Sequence, residues 1–163
     1  MPDLITHLAF THLVKRPFEL KGKAENIFPF RVLLYLGAIL PDILTRPWYI
    51  IFPATKSWTT CLHTPFGVIL FSGLLTLFFN PAIQKRVFLN LFAGGMLHFF
   101  LDFFQSHIIG TNYWLFPFSW KHVGYGLFSP GEIIPLIPFW IVIILIMECT
   151  IYGYKKYKRK KLN

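Results

Sequence analysis

The stretch Gly94-Gly95-Met96-Leu97-His98-Phe99-Phe100-Leu101-Asp102-Phe103-Phe104 places one histidine and one aspartate inside an otherwise apolar run. Residues four apart share a helix face, so both polar side chains point the same way. Ionisable groups at membrane depth are costly and need partners, which makes this pair a candidate functional site. The chain offers such partners. Asp3 and His7 repeat the spacing near the start, Asp42 follows Pro41, and His63 precedes another apolar run.

Composition supports a membrane setting. The chain has 163 residues, of which 55% are hydrophobic, 19% aromatic and 14% charged. An average soluble domain carries about 25% charged residues. Together with a mean hydropathy of +0.53, these values imply a multi-pass membrane protein of one domain. The net charge of +9 is concentrated in residues 15–23, at Lys85-Arg86 and in the tail 155–161. Such clusters are expected as cytoplasmic flanks of membrane helices rather than as a nucleic-acid surface. The tail also suits anionic lipid head groups. Cys61 and Cys149 form neither a disulfide framework nor a zinc-type Cys-x-x-Cys. Met1-Pro2-Asp3 lacks a basic n-region, so no cleavable signal peptide is expected.

Residues 3–14 read as a short helix, below the roughly 20 residues a span needs. It is expected to tuck into a bundle or to be re-entrant. A basic loop follows over 15–29, then an apolar segment over 31–52 that should break near Pro41. Residues 53–62 read as a polar connector, 63–79 as a helix ending before Asn80-Pro81, and 87–105 as the helix carrying His98 and Asp102. The long loop 106–131 holds Trp114, Phe116, Phe118, Trp120 and Tyr125, residues suited to a membrane–water interface. The last span is expected over 132–153. The expected fold is an all-α multi-pass membrane helix bundle, with about four spanning helices plus a short N-terminal helix. It forms one integral-membrane domain over 1–153, followed by a basic cytoplasmic tail over 154–163.

Charge bias sets the orientation. The 15–31 loop, the 80–86 turn and the tail lie in the cytoplasm, and the 53–62 connector and 106–131 loop lie outside. That arrangement gathers Asp42, His63, His98 and Asp102 in the outward halves of their helices. His7 joins them if the first helix dips inward from the outer face.

Neutral imidazole and carboxylate are ligands suited to zinc and other first-row divalent metals. A catalytic site keeps one position open for water and lowers that water's pKa. His7, Asp42, His63, His98 and Asp102 supply enough ligands for one zinc, or for two. Plainer roles are open to each of them. Asp3 suits a helix N-cap, Asp42 could cap the segment after Pro41, His63 could sit at the interface, and His98 with Asp102 could form an intrahelical ion pair. His12 lies about 140° around the helix from His7 and should not share the site. His107 and His122 fall in the aromatic loop and read as interfacial, and Glu148 is expected to pair with the basic tail.

The ordered set Thr6-His7-Leu8, Leu40-Pro41-Asp42, Leu62-His63-Thr64, His98-x-x-x-Asp102, Gly110-Thr111 and Trp114-Leu115-Phe116-Pro117-Phe118 has a family shape. It resembles the bacterial membrane-bound metal-dependent hydrolases, the group that includes a LexA-regulated inner-membrane protein. That group is distantly similar to zinc-dependent phospholipase C, a helical enzyme with His and Asp ligands. The resemblance runs from residue 3 to about residue 120. It implies a bacterial inner-membrane location and metal-assisted hydrolysis of a phosphoester, with His7, Asp42, His63, His98 and Asp102 at the polar positions. Two positions depart from the family pattern. The second Asp of Pro-Asp-x-Asp is Leu44, and the first His of the His-rich segment falls near Trp58. Each departure removes a ligand, which points to one metal rather than two.

The leading expectation is an integral-membrane hydrolase with a divalent metal, zinc being the expected ion. His7, His63 and His98 bind it together with Asp42 or Asp102, and the other carboxylate orients a ligand histidine or acts as general base. The substrate is phosphoester or lipid-like and enters from the lipid or the outer face. Membrane lipid and a homo-oligomer are the expected partners, and nucleic acid is not one. The alternatives are a non-catalytic membrane protein with a structural His/Asp cluster, or a small transporter, for which broken helices and buried charges are suited.

Overall fold

The computed structural model describes residues 4–21, 28–106, 113–133, 135 and 137–162. Asp3, His107, Gly110 and Thr111 therefore lie outside the described residues. The described elements are α1 (Leu4–Lys21), α2 (Phe28–Ile51), a 3-10 turn (Pro53–Thr55), α3 (Lys56–Leu62), α4 (Pro65–Thr76), α5 (Pro81–Phe104), the short α6 (Pro130–Ile133) and α7 (Ile137–Leu162). Among them there is no strand, only an isolated bridge between Gln105 and Phe128.

Local chemistry sets several boundaries. Both α4 and α5 begin with proline, whose missing N–H costs nothing in the first turn. The residue before each proline caps the helix: Thr64 accepts from the Gly67 N–H at 3.1 Å, and Asn80 from the Ala82 N–H at 3.0 Å. Between α3 and α4 the axis turns by 79°, and His63 sits at that corner.

α5 is the centre of the bundle, with α2 packed most extensively along it and α4 on another side. The α2–α5 contact is a backbone contact. A Cβ at Gly37 would run into the Leu91 carbonyl, and one at Gly94 into the Leu34 carbonyl and the Ala38 nitrogen. Small residues let membrane helices approach this closely. The fully buried apolar residues Val87, Leu91 and Ala38 belong to these two helices. α7 packs on α1 at the edge of the bundle.

The expected count of about four spans becomes two, or three. Among the described residues, Pro81–Phe104 and Ile137–Tyr157 are long and apolar enough to cross a membrane, and the bent pair Pro53–Leu62 with Pro65–Thr76 makes a third if it counts as one broken span. α1 has 18 residues and runs on into Lys15, Arg16 and Lys21. In α2 the apolar run is interrupted by Arg31, Asp42 and Arg46.

Other boundaries also move. The break expected near Pro41 is absent: α2 stays helical through both Pro41 and Pro47. Proline removes one backbone donor, and nearby groups adjust to the loss. The donor lost at Pro41 is the one that would reach the Gly37 carbonyl. Separately, the Thr45 hydroxyl donates back to the Pro41 carbonyl at 2.8 Å, as threonines within helices commonly do. The connector 53–62 is mostly helical, α1 takes in the expected loop residues 15–21, and the basic tail continues α7 to Leu162.

The aromatic loop folds back over the end of α5. The N–H groups of Tyr125 and Leu127 donate to the Phe103 and Phe104 carbonyls, at 2.8 and 2.7 Å. These are carbonyls that a helix C-terminus leaves without a partner. Trp114 packs edge-on against Phe99 and Phe103, and Phe116 against Phe66 at the start of α4. Phe118, Trp120 and Tyr125 remain largely exposed, as an interfacial belt requires.

Candidate metal centre

Five polar side chains meet where α1, α2, the α3–α4 corner and α5 converge. His7 is 1% exposed, His98 1%, Asp102 2% and Asp42 3%. His63 is the accessible member, its side chain 13% exposed. All five residues singled out from the sequence are brought together.

His98 is fixed first. Its Nδ1–H donates to the Ala38 carbonyl at 2.8 Å, a contact made available by the close approach at Gly37 and Gly94. In the neutral ring this assigns the proton to Nδ1 and turns the Nε2 lone pair inward, a common arrangement for a ligand histidine. His98 Nε2 lies 3.1 Å from His63 Nε2 and 3.2 Å from Asp102 Oδ2. His63 Nε2 lies 3.5 Å from the same Asp102 oxygen.

Those three separations decide how the cluster is read. Zinc bonds to nitrogen and oxygen of about 2.0–2.2 Å imply ligand atoms about 3.3–3.6 Å apart on a tetrahedron's edges. The triangle of His63, His98 and Asp102 has sides of 3.1, 3.2 and 3.5 Å, one side within that spacing and two slightly short of it. Asp42 Oδ1 stands next to it, 3.6 Å from His63 Nε2 and 3.9 Å from His98 Nε2. A second group of ligand atoms, from His7, Asp42 and His98, also falls within 4.8 Å.

His7 adds an independent observation. Its ring stacks on His98 with centroids 4.0 Å apart, and Nε2 is 3.6 Å from Asp102 Oδ1. Neither ring nitrogen has a hydrogen-bond partner among the described residues. Buried polar atoms are normally satisfied, and an exception calls for an occupant or a function. With neutral imidazoles, two carboxylates face one guanidinium, a balance suited to a cation. The donor set, the triangle and the orphaned histidine all fit a divalent metal.

Two polar residues near this centre were not singled out from the sequence. The Arg46 guanidinium forms an ion pair with Asp42 Oδ2 at 2.6 Å. Its position four residues after Asp42 on one helix face was the available signal. Gln105, three residues after Asp102, is 1% exposed, and its amide has no hydrogen-bond partner among the described residues.

The two departures from the family pattern also find a place. Leu44 follows Asp42 by two residues in an unbroken helix, about 200° around the axis, so its side chain leaves on the opposite face. Trp58 is 80% exposed on α3.

His12 stays away from the centre, as its spacing from His7 predicts, and bonds to Tyr35 and Glu148. Among the described residues Glu148 is not paired with the basic tail. It pairs with Arg16 and His12, because α7 packs along α1. His122 lies on the exposed part of the aromatic loop.

The family model of the YdjM inner membrane protein matches residues 1–161. The chain belongs to the YdjM inner membrane protein family. This match and the apolar helices place the protein in the inner membrane. No curated protein and no solved structure matches it. The buried cluster is thus the centre of a family member whose polar residues are drawn from four separate segments of the chain.

Proposed function

We propose that this inner-membrane protein is a metal-dependent hydrolase acting on a phosphoester or lipid-like substrate. The observation that carries the reading is the His63–His98–Asp102 triangle, whose sides of 3.1, 3.2 and 3.5 Å come close to the spacing of ligands around one small divalent ion. These three residues hold the ion, and zinc fits the nitrogen–oxygen donor set. A bound divalent ion supplies Lewis acidity and hydroxide near neutral pH.

The remaining groups take roles from their positions. His98 is oriented by the Ala38 carbonyl. Asp42 faces the same centre and serves as a further ligand or as the general base, held in place by Arg46. The Arg46 side chain is 20% exposed and offers a planar cation to a substrate phosphate. His63 is the most exposed of the five and marks the entrance, bordered by Phe99 and, through it, by Trp114 of the aromatic loop.

Purified protein in lipid nanodiscs, resupplied with zinc or manganese, is expected to cleave a chromogenic phosphodiester. A chelator should abolish the activity. His63→Ala should lower it by at least about 100-fold, more than the loss typical of an outer-shell partner. It should not unfold the bundle, because His63 sits at a partly exposed corner. Metal-loaded, folded protein that cleaves neither phosphodiesters, phosphomonoesters nor phospholipid head groups would make the centre a non-catalytic cluster.

A further inference from the structure

On the far side of α1 from His7, an open groove of about 520 Å³ runs between α1, α2 and α7. Ile5, Leu8 and Ala9 line it from α1, and Trp140, Ile141 and Ile144 from α7. Its walls are apolar along most of their length. One end is polar: His12 and Tyr35 complete the lining there, joined by a 2.6 Å hydrogen bond. The polar end then continues into a charged cluster. The Lys15 ammonium donates to the Tyr35 hydroxyl at 2.9 Å and lies 4.2 Å from that ring's centroid, while Arg16 pairs with Glu148.

Ile5 to Ala9 face Trp140 to Ile144 across the groove, while His12 and Arg16 pair with Glu148, so α1 and α7 run in the same direction. The basic ends of both helices, Lys15 to Lys21 and Lys155 onward, therefore lie together at one end of the bundle. The groove has apolar walls and ends at His12 and Tyr35. Just beyond that end stand the Lys15 and Arg16 cations with the Glu148 carboxylate, a cluster of net positive charge. The shape of the groove and the charge beyond its end match an anionic phospholipid. A Lys or Arg at this depth keeps its head at the interface while its stem lines the apolar surface. Anionic lipids of the cytoplasmic leaflet attract such basic segments.

We infer that this groove is a binding site for one anionic phospholipid, with its phosphate at the Lys15–Arg16 end and an acyl chain lying along Ile5, Leu8 and Ile144 toward Trp140. The lipid fills the space between α7 and the rest of the bundle. The site is separate from the histidine–aspartate centre, since the face of α1 that lines the groove is not the one that buries His7.

Quenching of Trp140 by brominated lipid tests the assignment. The protein is reconstituted in phosphatidylcholine vesicles containing a minor fraction of phosphatidylglycerol or phosphatidylcholine brominated in mid-chain. The Trp140 contribution is the difference between the protein and its Trp140→Phe variant. Brominated phosphatidylglycerol should quench Trp140 several-fold more than the same fraction of brominated phosphatidylcholine. Ile144→Phe, which fills the groove, should remove that excess, and Ala9→Leu serves as a second filling variant. The double change Lys15→Gln with Arg16→Gln should remove it as well. Equal quenching by the two lipids would overturn the site. An excess that survives both filling variants would overturn the groove as its location, and one that survives the double change would overturn the phosphate's position.

Discussion

Asp102→Asn is expected to leave the helices intact and to remove tight metal binding. Asparagine keeps the shape of the side chain and withdraws the charge that gives the His63–His98–Asp102 triangle its affinity. In the wild type Asp102 Oδ2 faces His63 and His98, and Oδ1 lies 3.6 Å from His7 Nε2. A ligand that binds only the folded state at about 1,000 times its Kd stabilises that state by about 4 kcal/mol. For a chain of this size that is a shift in Tm of roughly 10 °C. Wild-type protein should therefore lose roughly that much thermal stability on chelation and recover it when zinc returns. Asp102→Asn should melt at one temperature with or without chelator. Asp102→Ala should fare worse than the asparagine variant. It leaves buried histidines around an empty volume, and breaking a buried charge cluster from one side costs about 3–5 kcal/mol. A wild type whose Tm ignores both chelator and zinc would sink this prediction.

Gly94→Val is expected to be as damaging from outside the centre. The new side chain would start at the Leu34 carbonyl and the Ala38 nitrogen, both backbone atoms of α2. Overpacking a core commonly costs about 1–3 kcal/mol, and here no flexible side chain is available to yield. The helices must separate, and the Ala38 carbonyl then leaves His98 Nδ1. Folded yield in detergent, Tm and retained metal should all fall together. Gly73→Val is the control, since a Cβ at Gly73 meets nothing within 4 Å, and it should behave as wild type. Wild-type Tm and metal content in Gly94→Val would show that the close approach does not set the geometry of the centre.

Much of the centre was legible in residue spacing. His98 and Asp102 share a face because α5 is a regular helix, and His12 parts from His7 for the same reason. Charge bias along the chain put Asp42, His63, His98 and Asp102 in the outward halves of their helices, with His7 joining them only if the first helix dips inward. The packing of α1, α2 and the α3–α4 corner around α5 brings the five into contact. What spacing does not report is whether a proline interrupts a helix. Pro41 promised a break, yet α2 continues through it, and that continuity turns Leu44 away from Asp42. Nor does apolar content by itself count spans. The segment 31–52 looked like one, but its Asp42 and Arg46 turn inward to the cluster and to each other. The groove depended on a tertiary fact, the docking of α7 along α1, which no local pattern around Glu148 announces. Arg46 was within reach of a spacing argument, four residues after Asp42. Gln105 was not, because its burial comes from the loop that folds back over the end of α5.

The central claim is that the buried His/Asp cluster is a metal centre, and elemental mass spectrometry tests it most directly. Wild-type protein purified in detergent, resupplied with zinc or manganese and freed of excess, is compared with His98→Ala and Asp102→Asn. Near-stoichiometric metal in the wild type, lost in both variants while their helical content is retained, is the predicted result. A folded wild type that holds no metal after resupply would contradict the account and leave His7, Asp42, His63, His98 and Asp102 as polar packing inside a membrane bundle.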